Sequence, residues 1–187
     1  MPWIHVIDEP QAEGKLAEIY AGLRDTRGNV ANIHRIHSLF PEALRAHMDL
    51  YRVLLYSNDA EISRADAELI ATVVSIENSC DYCAAHHGDA LSAQYADQPA
   101  ACPIPSRDHT EWKLDGRQRA MLDFATKLAQ IPHATSEEDV AALRTEGFTD
   151  RAILEIVMVT SYFCFVNRIA LGLGVSLSAE ERAGFRY

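Results

Sequence analysis

Residues 63–87 read SRADAELIATVVSIENSCDYCAAHH. Ser63 stands where its hydroxyl can cap the free backbone N–H groups of a helix start, and Asp66 adds negative charge to the first turn. Ala67, Ile70 and Val74 then recur at helical spacing. Asn78-Ser79 supplies a break and a second cap. A new helix is expected from Cys80 to about Leu91, where Ala84, Ala85 and Ala90 favour helix. The stretch therefore predicts two helices joined by a sharp break.

Outward from this pair the helical periods continue. Leu16, Ile19, Tyr20 and Leu23 mark a helix over 14–23, closed by a turn at Arg27-Gly28-Asn29. Pro41 opens another, with Leu44, Met48, Tyr51, Leu54 and Leu55 three and four apart, and Ser57-Asn58-Asp59 breaks it. Downstream, residues 96–107 carry Pro99, Pro103 and Pro105 and read as a flexible connector. Asp115 and Gln118 form a capping-box pattern that starts a helix to Gln130, stopped by Pro132. Thr135 and Glu138 form a second such pattern, for a helix to about Thr145 that Gly147 ends. Thr149 caps a long final helix to about Gly172, with Phe148 as an apolar staple. Val73-Val74 and Val157-Met158-Val159 sit inside longer helical periods, and sustained strand alternation is absent. The fold class is all-α, with seven or so helices. The 187 residues read as a single domain over 1–187, with an N-terminal helical extension at about 1–60.

Apolar residues make up 48% and charged residues 24%, which excludes disordered, collagen-like and coiled-coil classes. Seventeen Lys and Arg against 27 Asp and Glu give 17 − 27 = −10. An acidic surface repels phosphate backbones and anionic lipid, so no nucleic-acid or membrane partner is expected. The start, Met1-Pro2-Trp3-Ile4-His5, has no basic n-region, and the most apolar stretch, Ile153–Val166, is short for a bilayer span and contains Glu155. A cytoplasmic protein is expected, in which four cysteines are thiols unless they have a redox or metal role.

Chemistry concentrates at Cys80-Asp81-Tyr82-Cys83, with His87 four residues beyond Cys83. At ~3.6 residues per turn, positions 80, 83 and 87 share a helix face. Cys80, in the first turn, meets unpaired N–H groups that favour thiolate, and a protonated imidazole nearby pushes the same way. Glu68 precedes Cys80 by 80 − 68 = 12 residues. On an unbroken helix that is roughly 18 Å, so cooperation requires the chain to turn at Asn78-Ser79. If it turns, Glu68 faces His87 and can orient the imidazole. Spacing alone leaves three readings open: a redox dithiol, inert buried cysteines, and a zinc site in which His86 or Glu68 joins Cys80, Cys83 and His87. No second C-x-x-C or H-x-x-x-H supplies the separated ligand pair usual for structural zinc.

The segment from Ser63 through Glu68, Val73-Val74-Ser75 and Asn78-Ser79-Cys80-Asp81-Tyr82-Cys83-Ala84-Ala85-His86-His87 resembles the AhpD-like alkyl hydroperoxidases of the carboxymuconolactone decarboxylase-like superfamily. The family pattern of Glu, eleven residues, Cys, two residues, Cys, three residues, His falls on Glu68, Cys80, Cys83 and His87. Pro41-Glu42-Ala43-Leu44-Arg45-Ala46-His47-Met48, Met121-Leu122-Asp123-Phe124-Ala125, residues 147–154 and Phe165-Val166-Asn167-Arg168 are similar to its peroxidase-related branch. Two departures are Ala31 in Val30-Ala31-Asn32, where the pattern has Pro, and Tyr82, where some members carry His.

The resemblance implies an AhpD-like helical bundle with the C-x-x-C at the start of a helix. It also implies a homo-oligomer (dimer, trimer or hexamer) and thiol-dependent peroxide reduction with no cofactor and no metal. Cys83 would be the peroxidatic nucleophile and Cys80 the resolving thiol, although helix-start electrostatics alone favours Cys80 as the more acidic of the two. His87 would carry the proton, Glu68 would orient it, and an external dithiol or thiol would regenerate the pair. The alternatives are a disulfide oxidoreductase or redox sensor, a non-catalytic oligomeric scaffold, and a lactone decarboxylase that needs no thiol. Cys102, Cys164, Tyr51, Tyr56, Tyr162, Phe163 and Phe165 are read as structural. His34 and His37 are assigned to a surface or subunit contact, and His86 to a supporting or interface position. Asn167-Arg168 is given no catalytic role.

Overall fold

A computed structural model describes residues 2–104, 112–178 and 181. The described residues form eight α-helices and no strand: α1 (Gly14–Arg27), α2 (Asn32–Arg35), α3 (Pro41–Tyr56), α4 (Arg64–Glu77), α5 (Asp81–Gln94), α6 (Gly116–Gln130), α7 (Glu137–Thr145) and α8 (Asp150–Gly172). The all-α class is as read, with one helix more than the seven or so expected. Of the connector at 96–107, the part to 104 contains a 3-10 turn at Pro99–Ala101, and 105–107 lie outside the described residues.

The chain divides into two compact units, Met1–Val53 with Arg168–Tyr187, and Leu54–Asn167. In the first, Leu16, Ile19, Tyr20 and Leu23 form the buried stripe of α1 and pack with Val30 and Leu44. Gly28, at φ +87°, ends α1 in a conformation that costs glycine little. Burial pushes the Tyr20 phenol up to about 12, and its hydroxyl donates to the Ile7 carbonyl at 3.1 Å. The Glu181 carboxylate accepts from Asn32 N at 2.9 Å and so serves the open N-terminus of α2.

Three imidazoles meet in this unit; of the two residues expected at a surface or subunit contact, His34 is buried and His37 is half-buried. His34 is buried, and α2 is only one turn long, so His34 and the following His37 both turn toward His47 of α3. The ring centroids lie 6.2 Å apart for His34–His47 and 4.9 Å for His37–His47. Burial lowers His37, and burial followed by the charge of His37 pushes His47 down to about 4. A His depressed in the folded state contributes stability above the unfolded value near 6.5 and loses it as pH falls toward the folded one. Urea denaturation is therefore expected to show a loss of roughly 2–3 kcal/mol between pH 6.5 and 4.5 from His47. A His47→Gln variant should flatten that slope; an equal slope in the variant would remove the cluster as its cause.

The second unit is organised around α4. Its residues from Ala67 to Ser75 are buried at nine successive positions, so the helix is enclosed on every side and not only along the Ala67–Ile70–Val74 stripe. It packs against α5 and α6, and α6 packs against α7. Ser63 caps α4 as read, accepting from Asp66 N at 3.0 Å. Asp115 and Gln118 form their capping box on α6. On α7 the box falls on Ser136 and Asp139, one residue beyond Thr135 and Glu138. The reason is the 3-10 turn that Pro132 initiates, which uses Thr135 as its extended exit. Thr149 caps α8 through Ala152 N at 3.0 Å.

Helix α8 runs from Asp150 to Gly172, as read from the Thr149 cap, and reaches beyond the apolar run Ile153–Val166 at both ends. Extended at both ends, it is long and apolar enough by length and composition to cross a bilayer, but 56% of that window is buried within the protein. Ile156, Val159 and Phe163 are fully enclosed, and Glu155 accepts from Glu61 N and Ile62 N at 2.8 and 3.0 Å. These contacts make α8 a core helix.

The break between α4 and α5 is a helix-terminating motif with two diagnostic bonds. Cys80 N donates to Ser75 O at 2.9 Å, and Ser79 N donates to Ile76 O at 2.9 Å. Ser79 sits at φ +56°, and it is Cys80, not Ser79, that occupies the next N-cap position, without a side-chain cap bond. A left-handed serine costs about 1–2 kcal/mol that glycine avoids, against a larger unfolded-state entropy for glycine. Exposed Ser79 replaced by Gly is therefore expected to stabilise the fold by about 0.5–1 kcal/mol in chemical denaturation; a loss of stability would contradict the strain.

Candidate active site

The turn at Asn78-Ser79 brings the separated residues together. Glu68 lies 78 − 68 = 10 residues before Asn78 and His87 lies 87 − 78 = 9 after it, so a helical hairpin sets them at one level. His87 Nδ1 is 2.6 Å from Glu68 Oε2. Glu68 has no exposed surface. Its other oxygen, Oε1, accepts from Arg64 Nε at 2.9 Å and is also touched by Arg64 Nη2. The remaining donors of Arg64 are used nearby. Nη1 donates to Leu55 O at 3.1 Å, Nη2 reaches the Tyr56 hydroxyl at 2.7 Å, and the guanidinium carbon lies 3.6 Å from the Tyr56 ring centroid.

Burial pushes the Glu68 carboxyl toward protonation, but His87 and Arg64 together outweigh it, so the group is held below the usual carboxylate range. An ionised carboxylate only accepts hydrogen bonds, so the shared proton with His87 is carried on Nδ1. In the neutral ring the lone pair is then on Nε2, where it can take a proton from a third group. The edge of Phe163 contacts the imidazole, with ring centroids 4.5 Å apart, and fixes the ring plane from α8.

Cys80 and Cys83 are both buried and both reduced. Cys80 is the N-cap of α5 and Cys83 lies in its first turn, within hydrogen-bonding reach of Cys80. The Cys80 sulfur and then burial push the Cys83 thiol up, while a hydrogen bond with Asn167 pulls it down. The pair thus holds one negative charge more readily than two. The expectation that a helix start and a neighbouring imidazole favour thiolate does not extend to Cys83 in the reduced pair.

The other positions separate clearly. His86, buried, packs at a tilt against Tyr82, with ring centroids 4.8 Å apart and an interplanar angle of 58°. Cys102 is buried beyond the Pro99–Ala101 turn, and Cys164 is touched by Asn78 Nδ2 at 3.7 Å. The ligands that the zinc reading would gather are not assembled: among the described residues no three His, Cys, Asp or Glu side chains converge in that way. Two residues to which the sequence reading assigns no part in the chemistry lie at the site: Arg64, which was not singled out, and Asn167, which was given no catalytic role. Arg64 was legible as a charge one turn from Glu68, on the same helix face. Asn167, 92 residues from its partner Ser75, carried no local signal.

Residues 41–98, which include all four patterned positions, match the carboxymuconolactone decarboxylase family. Over nearly the whole fold, a peroxidase-related protein of uncharacterised function from Silicibacter sp. TM1040 is 32% identical, covering 97% of this chain and 95% of that one with a TM-score of 0.82. The chain is an AhpD-like member of the carboxymuconolactone decarboxylase family. A second AhpD-like protein, an uncharacterised peroxidase-related protein from Ralstonia eutropha JMP134, is 28% identical over 96% of this chain and 94% of that one, with a TM-score of 0.85. The debrominase Bmp8, solved with 2,3,4-tribromopyrrole, has the same fold at 18% identity and a TM-score of 0.78, covering 96% of this chain and 93% of that one. Within this AhpD-like fold, α4 supplies the carboxylate, α5 the dithiol and imidazole, and α8 the Phe163 wall and the Asn167 amide.

Proposed function

We propose that this chain is a thiol-dependent peroxidase, a cytoplasmic antioxidant oxidoreductase that reduces peroxides through Cys80 and Cys83. The observation that carries the reading is the Glu68–His87 bond, which leaves Nε2 as the basic nitrogen of an oriented imidazole one helical turn beyond Cys83 on α5. Cys83 attacks the outer peroxide oxygen. A sulfur–oxygen bond forms, the oxygen–oxygen bond breaks, and the two electrons come from sulfur. His87 takes the thiol proton and returns it to the departing alkoxide or hydroxide. Cys80 then displaces water from the Cys83 sulfenic acid to give an internal disulfide, and an external dithiol restores both thiols by exchange. The AhpD-like relatives with peroxidase-related names support the class of reaction.

The test is peroxide consumption with several dithiol donors, on the wild type and each single-cysteine variant. Cys83→Ser is expected to abolish turnover. Cys80→Ser is expected to stop after one equivalent, with a trappable sulfenic acid on Cys83. Reversible oxidation without turnover would favour the sensor or disulfide oxidoreductase, inert thiols the scaffold, and an activity surviving loss of both cysteines the lactone decarboxylase. Exposed Leu154, Met158 and Phe165 along α8 support a homo-oligomer, and light scattering that gave a fully active monomer would rule out an obligate one.

A further inference from the structure

Helix α3 is apolar on two sides. Leu44 and Met48 face inward and pack with the buried stripe of α1. Ala43, Ala46, Leu50 and Val53 follow one another at spacings of three, four and three. That sets them on a second stripe, about 160° round the helix from the core side. This stripe looks outward: Leu50 is 41% and Val53 61% exposed, and Phe40, just ahead of the helix, is 62% exposed. A surface helix needs one apolar face for its own core, so a second on the far side marks a place where something else packs. A row of charge borders the stripe. Glu42, Arg45, Asp49 and Arg52 are all exposed, and each stands one residue ahead of a member of the stripe. Their signs alternate: negative, positive, negative, positive. Arg52 bonds Asp49 at 2.7 Å and Lys15 bonds Glu42 at 3.1 Å, while Arg45 makes no ion pair among the described residues.

We infer that this face of α3 packs on the same face of α3 in a second copy of the chain, antiparallel about a two-fold axis at Ala46-His47. The inference rests on the homo-oligomer reading above, of which it names one contact, and not on the peroxide chemistry. The order of signs is the argument. In an antiparallel pair about a two-fold axis, the same border of each helix meets. Pairing about position 47 sets Glu42 opposite Arg52 of the partner subunit and Arg45 opposite the partner's Asp49, each twice. Slid by one turn, the helices set Glu42 against the partner's Asp49, or Arg45 against the partner's Arg52. A parallel pair in register sets every charge against its like. One arrangement is therefore favoured and its neighbours are penalised. The same arrangement lays Leu50 on the partner's Ala43 and Val53 on the partner's Phe40, with the small Ala46 at the axis where the helices come closest. The chain carries a net charge of −10, so copies repel over most of their surface, but the charges of this row cancel. The bond of Arg52 to Asp49 joins two exposed side chains and is weak enough to be exchanged for contacts between copies.

The test is the mass of the full chain in solution. Light scattering after size exclusion, at micromolar concentration, is applied to the wild type, Leu50→Glu, Arg45→Glu and Asp49→Arg, with circular dichroism to show that the helices hold. Leu50→Glu sets a carboxylate into the stripe of both copies. It is expected to halve the particle mass and raise the dissociation constant by about 100-fold or more. Each charge reversal sets two like pairs across the axis and should raise the constant about 10-fold. Mixed in equal amounts, Arg45→Glu and Asp49→Arg are expected to recover the wild-type mass, because each reversed side chain then meets an opposite charge on the other copy. Native mass spectrometry should find the mixed pair in excess over either self-pair. A defect within one chain would not be repaired by mixing. A wild-type oligomer that all three substitutions leave intact overturns the inference and leaves the homo-oligomer reading to other faces, that of α8 among them. Weakening that mixing fails to repair overturns the antiparallel pairing and with it the inference. A monomeric wild type removes both.

Discussion

Glu68→Gln is expected to slow peroxide consumption by roughly 100- to 10,000-fold while the helices hold. The argument is one of tautomers. Arg64 can only donate, so the amide oxygen of a Gln at this position stays with Arg64, where Oε1 is now. The amide nitrogen must then face His87 Nδ1, in place of the present Oε2 at 2.6 Å. An N–H facing Nδ1 makes Nδ1 an acceptor and moves the ring proton to Nε2. The imidazole keeps its position and loses the free lone pair of Nε2. His87→Ala removes the proton carrier itself and should be at least as damaging. The double variant should be little worse than either single one, since both act through one unit. Rates are measured at saturating reductant between pH 6 and 8, so that the peroxide step is limiting. Wild-type rates in Glu68→Gln across that range would take Glu68 out of the mechanism.

Local signals were legible and tertiary ones were not, and α4 shows where the boundary lies. Its cap at Ser63 and its break at Asn78-Ser79 depend on residues a few positions apart, and both are where they were read. Its polar residues tell a different story. Glu68, Thr72 and Ser75 are buried because each has a partner: Arg64 and His87 for the first, the Glu68 carbonyl at 2.8 Å for the second, and Asn167 for the third. Two of those partners stand on other helices, so periodicity alone marked a single apolar stripe. The same division explains Cys83. The helix-start argument, made for Cys80, is local, whereas the Cys80 sulfur and the burial that push Cys83 up come from the packed site. The four-residue pattern of Glu68, Cys80, Cys83 and His87 was readable because one hairpin supplies it all. Asn167 was not, because it arrives from α8.

Arg64→Met is expected to destabilise the fold by roughly 3 kcal/mol at pH 7, the scale seen when one partner of a buried ion pair is removed. Glu68 has no exposed surface, and among the described residues its ion-pair partners are Arg64, whose charge does not depend on pH, and His87. Methionine fills much of the space of the arginine stem, so the loss reports the stranded charge more than a cavity. The pH dependence follows from the direction of the Glu68 shift. In the wild type the carboxyl is held below its ordinary value, so it contributes stability above about 4.5, the unfolded range, and gives it up as pH falls through the lower folded value. Without Arg64, burial, the largest single influence on Glu68, is opposed by His87 alone and the carboxyl moves up. The variant can then recover stability by taking up a proton as the solution is acidified. The gap between wild type and Arg64→Met should be widest at pH 7 and narrow clearly by pH 4.5 in chemical denaturation. Adding Glu68→Gln to Arg64→Met removes the stranded charge and should restore most of the loss at pH 7. A gap that is equal at both pH values, and that the second substitution leaves unchanged, would mean that Arg64 matters for its stem and its Tyr56 contact and not for the charge of Glu68.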